Sequence, residues 1–241
     1  MQGEIRNVQG ERLDYSYHEG NGTSQDVVVI GHGVTGNKDR PFVVALAEGL
    51  AQSGVSALRV SFSGNGNSEG RFEDATISKE VRDLGSVLNA LEGSQVVYVG
   101  HSMGGAVGVI RSSEDSRIQF LVSLAGMVDT QGFFEREFSD VVPGEGCMWD
   151  EPTCPLSQQY VDDMSAIGTV AGRASRIDVP WLLVHGTEDD VVPPGDSQEV
   201  FEKAPESKEL FLVEGADHVF SEAATPVMVD KVVDWVKDCL A

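Results

Sequence analysis

The 241-residue chain is short of three things, and each shortage excludes something. It has three cysteines, too few for a disulfide framework, so stability has to come from an apolar core. Cys147 and Cys154 are close enough in sequence to pair across a loop or to stay reduced, and Cys239 is expected to be a free thiol. It is also short of cationic charge. Seventeen Lys and Arg face 39 Asp and Glu, a net charge of −22 at pH 7. Such a surface repels nucleic acid and anionic membranes, so neither is expected as a partner. Two readings of it stand: a solubility-promoting surface, or adaptation to a saline medium where salt screens self-repulsion. Long apolar runs are the third shortage. No stretch approaches the ~18 residues of a membrane span. The start, Met1-Gln2-Gly3-Glu4-Ile5-Arg6, has no basic region leading into an apolar one. The expected location is therefore the cytoplasm. No Cys/His spacing points to a metal site, and no repeat or low-complexity tract occurs.

What is present is a regular alternation. The 41% apolar content supports a sizeable core, and the length suits one α/β domain with a decorated loop. Glu4 to Glu19 alternates polar and apolar around Gln9-Gly10-Glu11, the pattern of a β-hairpin. A loop is expected over Asn21–Ser24. Val27–Ile30, Val55–Phe62, Gln95–Val99, Ile118–Leu124, Val179–His185 and Glu209–Val213 are short, mostly apolar runs that predict buried strands. Between them, Pro41–Gln52, the Ile77/Val81/Leu84/Leu88/Leu91 stripe, a small-residue run after Ser102, Asp196–Lys203 and Pro226–Leu240 predict helices. The expected architecture is a mostly parallel sheet with an N-terminal antiparallel hairpin and helices on both faces. The rhythm breaks over residues 127–176, a stretch too long for a simple connection, with a helix expected from Ser157 to Gly168. The expected organisation is a core of residues 1–126 and 177–241, with 127–176 inserted as a small cap over the active-site edge.

The chemistry centres on Gly100-His101-Ser102-Met103-Gly104, set between an expected strand and an expected helix. That is the context of a nucleophile elbow, which holds a serine on a sharp turn at the end of a strand. A serine hydroxyl needs a base to take its proton, usually a histidine oriented by a carboxylate. In such sheets the acid and then the histidine follow the serine. His218, in Gly215-Ala216-Asp217-His218 after the last strand, is the expected base. Asp189, in His185-Gly186-Thr187-Glu188-Asp189, is the expected acid, with Glu188, Asp190 and Asp217 as rivals. Of the other histidines, His18 is expected at the surface, His32 and His101 in structural hydrogen bonds, and His185 bracing the acid loop. The developing oxyanion needs donors, and the backbone N–H groups of Val34 and Met103 are assigned to it. The Met103 side chain either lines the acyl pocket or is ordinary packing. Phe133, Phe134, Phe138, Met148 and Trp149 either line the substrate pocket or bury the insertion's own core.

These residues together resemble the α/β-hydrolase superfamily, over nearly the whole chain. Three stretches narrow the resemblance: His32-Gly33-Val34-Thr35-Gly36-Asn37-Lys38, the run from Arg59 to Gly70, and Gly215 to Phe220. They look like compact bacterial carboxylesterases of the cinnamoyl (feruloyl) esterase-like and serine-aminopeptidase-like groups. The resemblance implies hydrolysis of a small-molecule carboxylic ester with no metal or organic cofactor. Relatives usually carry aspartate and histidine where this chain has Ser61 and Asn65, positions expected to be structural. An esterase with small to medium or aromatic acyl substrates is the leading expectation, working as a monomer or homodimer. A peptidase or amidase on the same triad is the alternative, and a ligand-binding protein of the same fold is a third. Haloalkane chemistry is disfavoured, because it needs a carboxylate where Ser102 stands.

Overall fold

The computed structural model describes residues 3–21 and 25–241. Met1-Gln2 and the Gly22-Thr23-Ser24 part of the expected loop lie outside them. The expected N-terminal antiparallel hairpin is present but shorter than Glu4 to Glu19. β1 (Ile5–Arg6) and β2 (Arg12–Leu13) pair antiparallel as a two-stranded sheet, but the expected second arm does not continue it. Instead β3 (Tyr15–His18) leaves to join the main sheet, antiparallel to β5 (Ser56–Val60). The partner strand lies some forty residues away, beyond the reach of a local turn pattern.

The remaining elements follow the expected alternation. β4 (Val27–Gly31), β6 (Val96–His101), β7 (Ile118–Leu124), β8 (Trp181–Gly186) and β9 (Lys208–Val213) complete a seven-stranded sheet in the order β3-β5-β4-β6-β7-β8-β9. All pairings except β3–β5 are parallel. Both faces are covered, which is why β4 and β6 are apolar at every position up to their closing glycine turns. Alternate side chains go to opposite cores. Val29, Leu58, Tyr98, Leu121 and Leu183 face α2 (Ile77–Ala90) and α3 (Met103–Ser112). Val28, Ile30, Val97, Val99, Val122 and Val184 face α1 (Pro41–Gln52) and α7 (Ala224–Leu240).

α1 begins where Pro41 sets the first helical φ, and α2 is capped by Thr76, whose side chain accepts from Lys79 N. The helix α6 (Pro194–Lys203) connects β8 to β9. Residues 127–176 carry α4 (Thr130–Glu137), α5 (Gln158–Ile167) and two short 3-10 turns. α4 lies outside the elements read from the sequence. Asp129 caps it by accepting from Gly132 N, and Ser157 caps α5 by accepting from Tyr160 N. Among the described residues no helix is long and apolar enough to cross a membrane.

Candidate active site

The chain runs from β4 outward to β5, then returns to place β6 on β4's other side, so the strand order reverses between β4 and β6. Gly31 and Gly100 face each other in register at that point. The crevice beyond the carboxyl ends of such a pair is where open α/β sheets bind ligands. Two turns open into it: His32–Asn37 after β4, and the Ser102 turn after β6.

Ser102 has φ +53° and ψ −119°, a conformation that side-chain-bearing residues rarely adopt. Its surroundings hold it there. Ser102 N donates to Leu124 O at 2.9 Å, and Ser102 O accepts from Gly105 N at 2.8 Å and Met127 N at 2.9 Å. Below it, the buried Tyr98 hydroxyl donates to Gly104 O at 3.1 Å. The glycines are steric necessities. A Cβ on Gly100 would lie 2.1 Å from Gly104 O, and one on Gly33 would lie 2.7 Å from Ser102 Cβ. The oxyanion-side turn therefore passes directly against the serine.

Asp189 sits on the turn after β8 with its side chain fully buried. Oδ1 accepts from Val191 N and Val192 N, both at 2.9 Å. Oδ2 accepts from His218 Nδ1 at 2.8 Å and lies 3.1 Å from His185 Nε2. Burial alone would push this carboxyl up, but the hydrogen bonds from His185 and His218 outweigh it and hold the group well below the usual carboxylate range. Among the described residues Glu188, Asp190 and Asp217 form no hydrogen bond or ion pair with the His218 ring, and Asp217 instead accepts from Ser221 N. His185 is itself fixed: Nε2 also bonds Val192 O at 2.9 Å, and Nδ1 meets Ser197 Oγ at 2.7 Å.

The other two site histidines are held neutral. His101 Nε2 donates to the backbone carbonyl of His218 at 2.9 Å, and the two rings lie 4.7 Å apart. Burial, aided by the nearby His218, pushes His101 down to about 3. His32 Nε2 accepts from Phe62 N at 3.0 Å, its Nδ1 bonds Gly33 O at 2.9 Å, and burial pushes it down to about 4. Both imidazoles pin backbone: one the base loop, the other the turn after β4. His18 is half-buried on β3 rather than free at the surface, and it accepts from Arg59 Nε at 3.0 Å.

Ser102, His218 and Val34 all line one cavity of about 230 Å³, with His101, Thr35, Arg40, Phe42, Trp149, Val191 and Val219 among the other walls. Among the described residues no hydrogen bond joins Ser102 Oγ to His218. Contacts of this kind are often long in free enzymes and tighten around substrate. The Val34 amide has no acceptor among the described residues. Met103 opens α3, so its amide has no acceptor within the helix.

The two side-chain questions left by the sequence have structural answers. The Met103 side chain is buried and its sulfur receives the Tyr160 hydroxyl at 3.2 Å, so it packs against α5 and not on the cavity wall. Of the five insertion residues, Trp149 lines the cavity, 44% exposed, with Nε1 donating to Glu137 Oε2 at 2.9 Å. Phe133, Phe138 and Met148 do not. They are buried, and the two phenylalanines stack edge-on with each other and with Trp149. Phe134 packs against the same core. Their apolar area is buried in the core that continues over the α2 and α3 face of the sheet. The sequence reading missed Arg40, Phe42, Val191 and Val219 on the wall. Val191 and Val219 are sequence neighbours of the Asp189 turn and His218, which was the available signal.

Ser61 and Asn65 are both buried. Ser61 Oγ accepts from Lys38 N at 3.1 Å, and Asn65 Nδ2 donates to Glu80 Oε1 at 3.3 Å. They serve as backbone and loop ties at a distance from the cavity. The three cysteines are free, and among the described residues no group of three His, Cys, Asp or Glu is placed to hold a metal.

Comparison with known proteins bears on the fold. A family model described as the alpha/beta hydrolase fold matches residues 26–146, half of the chain, and one described as serine aminopeptidase, S33, matches residues 155–222. A bovine relative, palmitoyl-protein thioesterase ABHD10 (mitochondrial), is 24% identical over 239 residues, covering 94% of this chain and 77% of its own. Among solved structures, ferulic acid-bound Est1E from Butyrivibrio proteoclasticus superposes with a TM-score of 0.87 at 23% identity, over 98% of both chains. Mouse alpha/beta hydrolase domain-containing protein 10 gives a TM-score of 0.82 at 19% identity, over 99% of both. At these identities the structural likeness speaks to the fold.

Proposed function

Because the chain belongs to the α/β-hydrolase family, we propose that it is a serine hydrolase of carboxylic esters. The observation that carries this reading is the Asp189–His218 pair at 2.8 Å opening onto the same cavity as the strained Ser102 turn. In the proposed reaction His218 takes the Ser102 proton as Oγ attacks the ester carbonyl. Asp189 holds His218 in the tautomer with Nδ1–H and stabilises the imidazolium that forms. The Val34 and Met103 amides receive the oxyanion. The alcohol departs with the proton from His218, leaving an acyl group on Ser102. A water molecule, deprotonated by His218, then releases the acid and restores the serine.

The cavity volume, about 230 Å³, lies below the ~300–1,000 Å³ typical of sites for drug-sized ligands, which favours small to medium or aromatic acyl groups. The reading includes a small-molecule substrate, no metal or organic cofactor, a cytoplasmic location, and a monomer or homodimer as the working form. Peptide or amide cleavage on the same triad is the second reading, favoured by the serine-aminopeptidase match over residues 155–222.

The test is hydrolysis of p-nitrophenyl esters from acetate to palmitate, beside methyl ferulate, an acyl thioester and an aminoacyl-anilide. Cleavage that peaks at short or aromatic acyl groups and disappears in Ser102→Ala is expected. Cleavage of the anilide alone transfers the proposal to the peptidase reading. Full turnover in a folded Ser102→Ala protein removes Ser102 from the mechanism.

A further inference from the structure

The cavity has the opposite charge character to the molecule that contains it. The chain has 39 acidic residues to 17 basic ones, yet no carboxylate lines the cavity, and apart from imidazoles its one ionisable wall residue is Arg40. Arg40 stands on the residue before α1 and makes no ion pair among the described residues. Its sequence neighbour Asp39 is committed elsewhere, to Lys38 Nζ and Arg59 Nη1, both at 2.9 Å. α1 has no acidic residue in its first turn. The Arg40 guanidinium has one anchor, Nη2 donating to Thr35 O at 3.3 Å. Thr35 adopts φ +54°, rare for a β-branched residue. One donor of five is thus used to hold the group at the cavity, and the others have no protein acceptor among the described residues. Arg40 is exposed at the rim of the cavity, within reach of a ligand entering from solvent, with Phe42, Trp149, Val191 and Val219 among the apolar walls beside it.

A cation held at a site without a partner carboxylate, in a chain so rich in carboxylates, is explained by a partner that arrives with the substrate. We propose that Arg40 recognises an anion on the substrate, and that the ester cleaved at Ser102 carries a carboxylate on the part remote from the scissile carbonyl. This rests on the esterase reading above and names its substrate class. The planar guanidinium fits a carboxylate through two parallel N–H···O bonds, which a lysine at that position would not reproduce. It also offsets locally the repulsion that the −22 surface exerts on any anionic substrate.

The test compares matched methyl esters, monomethyl adipate and methyl hexanoate, by acid release in the wild type, Arg40→Gln and Arg40→Lys. The readout is the ratio of their kcat/KM values. Arg40→Gln is expected to lower the adipate-to-hexanoate ratio by about 3- to 5-fold, the size of an ion pair at an exposed site, and Arg40→Lys to lower it by less. A ratio that Arg40→Gln leaves unchanged overturns the inference and leaves the esterase reading standing. If the wild type cleaves neither ester, the esterase reading fails for this class. Arg40 is then judged by calorimetric binding of the two intact esters to Ser102→Ala and Ser102→Ala/Arg40→Gln. A preference for monomethyl adipate that depends on Arg40 supports anion recognition, and equal binding or no binding overturns it.

Discussion

Asp189 and Glu80 are both buried carboxyl groups, and the protein shifts their titration in opposite directions. Asp189 receives two backbone N–H groups and two imidazoles, and these outweigh burial, so it stays ionised. Glu80, in α2, has one donor, Asn65 Nδ2 at 3.3 Å, and its Oε2 has no partner. Burial, with the neighbouring Asp83 adding to it, pushes Glu80 well above the usual carboxylate range. Asp83 is intermediate. It accepts from Ser63 N, Ser63 Oγ and Asn7 Nδ2, yet burial still raises it. Depth alone therefore does not set a carboxyl's charge here. The count and kind of donors does, and the richest set is placed where a negative charge can orient His218.

The largest test of this contrast is Asp189→Asn. The amide presents N–H where the imidazole needs an acceptor, so kcat/KM should fall by on the order of 10⁴ with the thermal midpoint showing a folded protein. A loss under 10-fold would separate Asp189 from the chemistry. Next come the imidazoles kept neutral by burial. The unfolded chain takes up protons at His32 and His101 near 6.5, whereas the folded protein resists until about 4 and about 3. Their stabilisation is full above pH 6.5 and is lost as pH falls through that window, on the order of 3–5 kcal/mol each. Urea unfolding at several pH values, with His101→Gln as comparison, measures the slope. The variant should flatten it.

A smaller effect is expected at His185. His185→Leu removes one donor from Asp189, so the carboxyl should protonate at higher pH and the acid limb of the rate profile should move upward, with a drop of about 10-fold in kcat. His185→Gln, which keeps an N–H, should recover part of both. A pH profile unmoved in the leucine variant would reduce His185 to packing. The mildest change is Glu80→Gln. A carboxyl raised by folding stabilises below its unfolded range and loses that contribution as pH rises, so the variant should gain stability over wild type progressively above pH 4.5. Turnover should stay within about two-fold. A stability difference independent of pH would mean that folding does not raise the Glu80 carboxyl.

The sequence reading caught what local chemistry dictates. α1 begins and ends at the expected residues because Pro41 can start a helix and the chain turns at Gly54. β7 spans its apolar run from Ile118 to Leu124. The Gly100–Gly104 turn was legible from its spacing, although only Gly100 is forced by a local contact, with Gly104 O, whereas Gly104 is forced by His32 O across the sheet. Relations across the sheet were not. β3 pairs with a strand that follows a helix, so nothing around Gln9-Gly10 announces it. Glu80 and Asp83 lie on the buried face of α2, but the partners that receive them, Asn65, Ser63 and Asn7, come from distant loops, and only the apolar stripe stood out. Phe133 and Phe138 show the limit most plainly. Residue type marks them as buried, and only packing tells which apolar surface they meet.

The position of Trp149 also has an optical consequence. Trp181 is enclosed in the core with Nε1 donating to Ser123 Oγ at 3.1 Å, and Trp235 packs edge-on to Phe120 at 6.3 Å. Trp149 alone of the three borders the cavity, on a turn where both it and Asp150 have positive φ. A ligand that fills the cavity displaces water from that indole, while the other two emit as before. Occupancy can thus be followed by intrinsic fluorescence in the Ser102→Ala protein with no label and no turnover. Trp149→Phe, which removes the reporting indole, is the control that ties the signal to this wall.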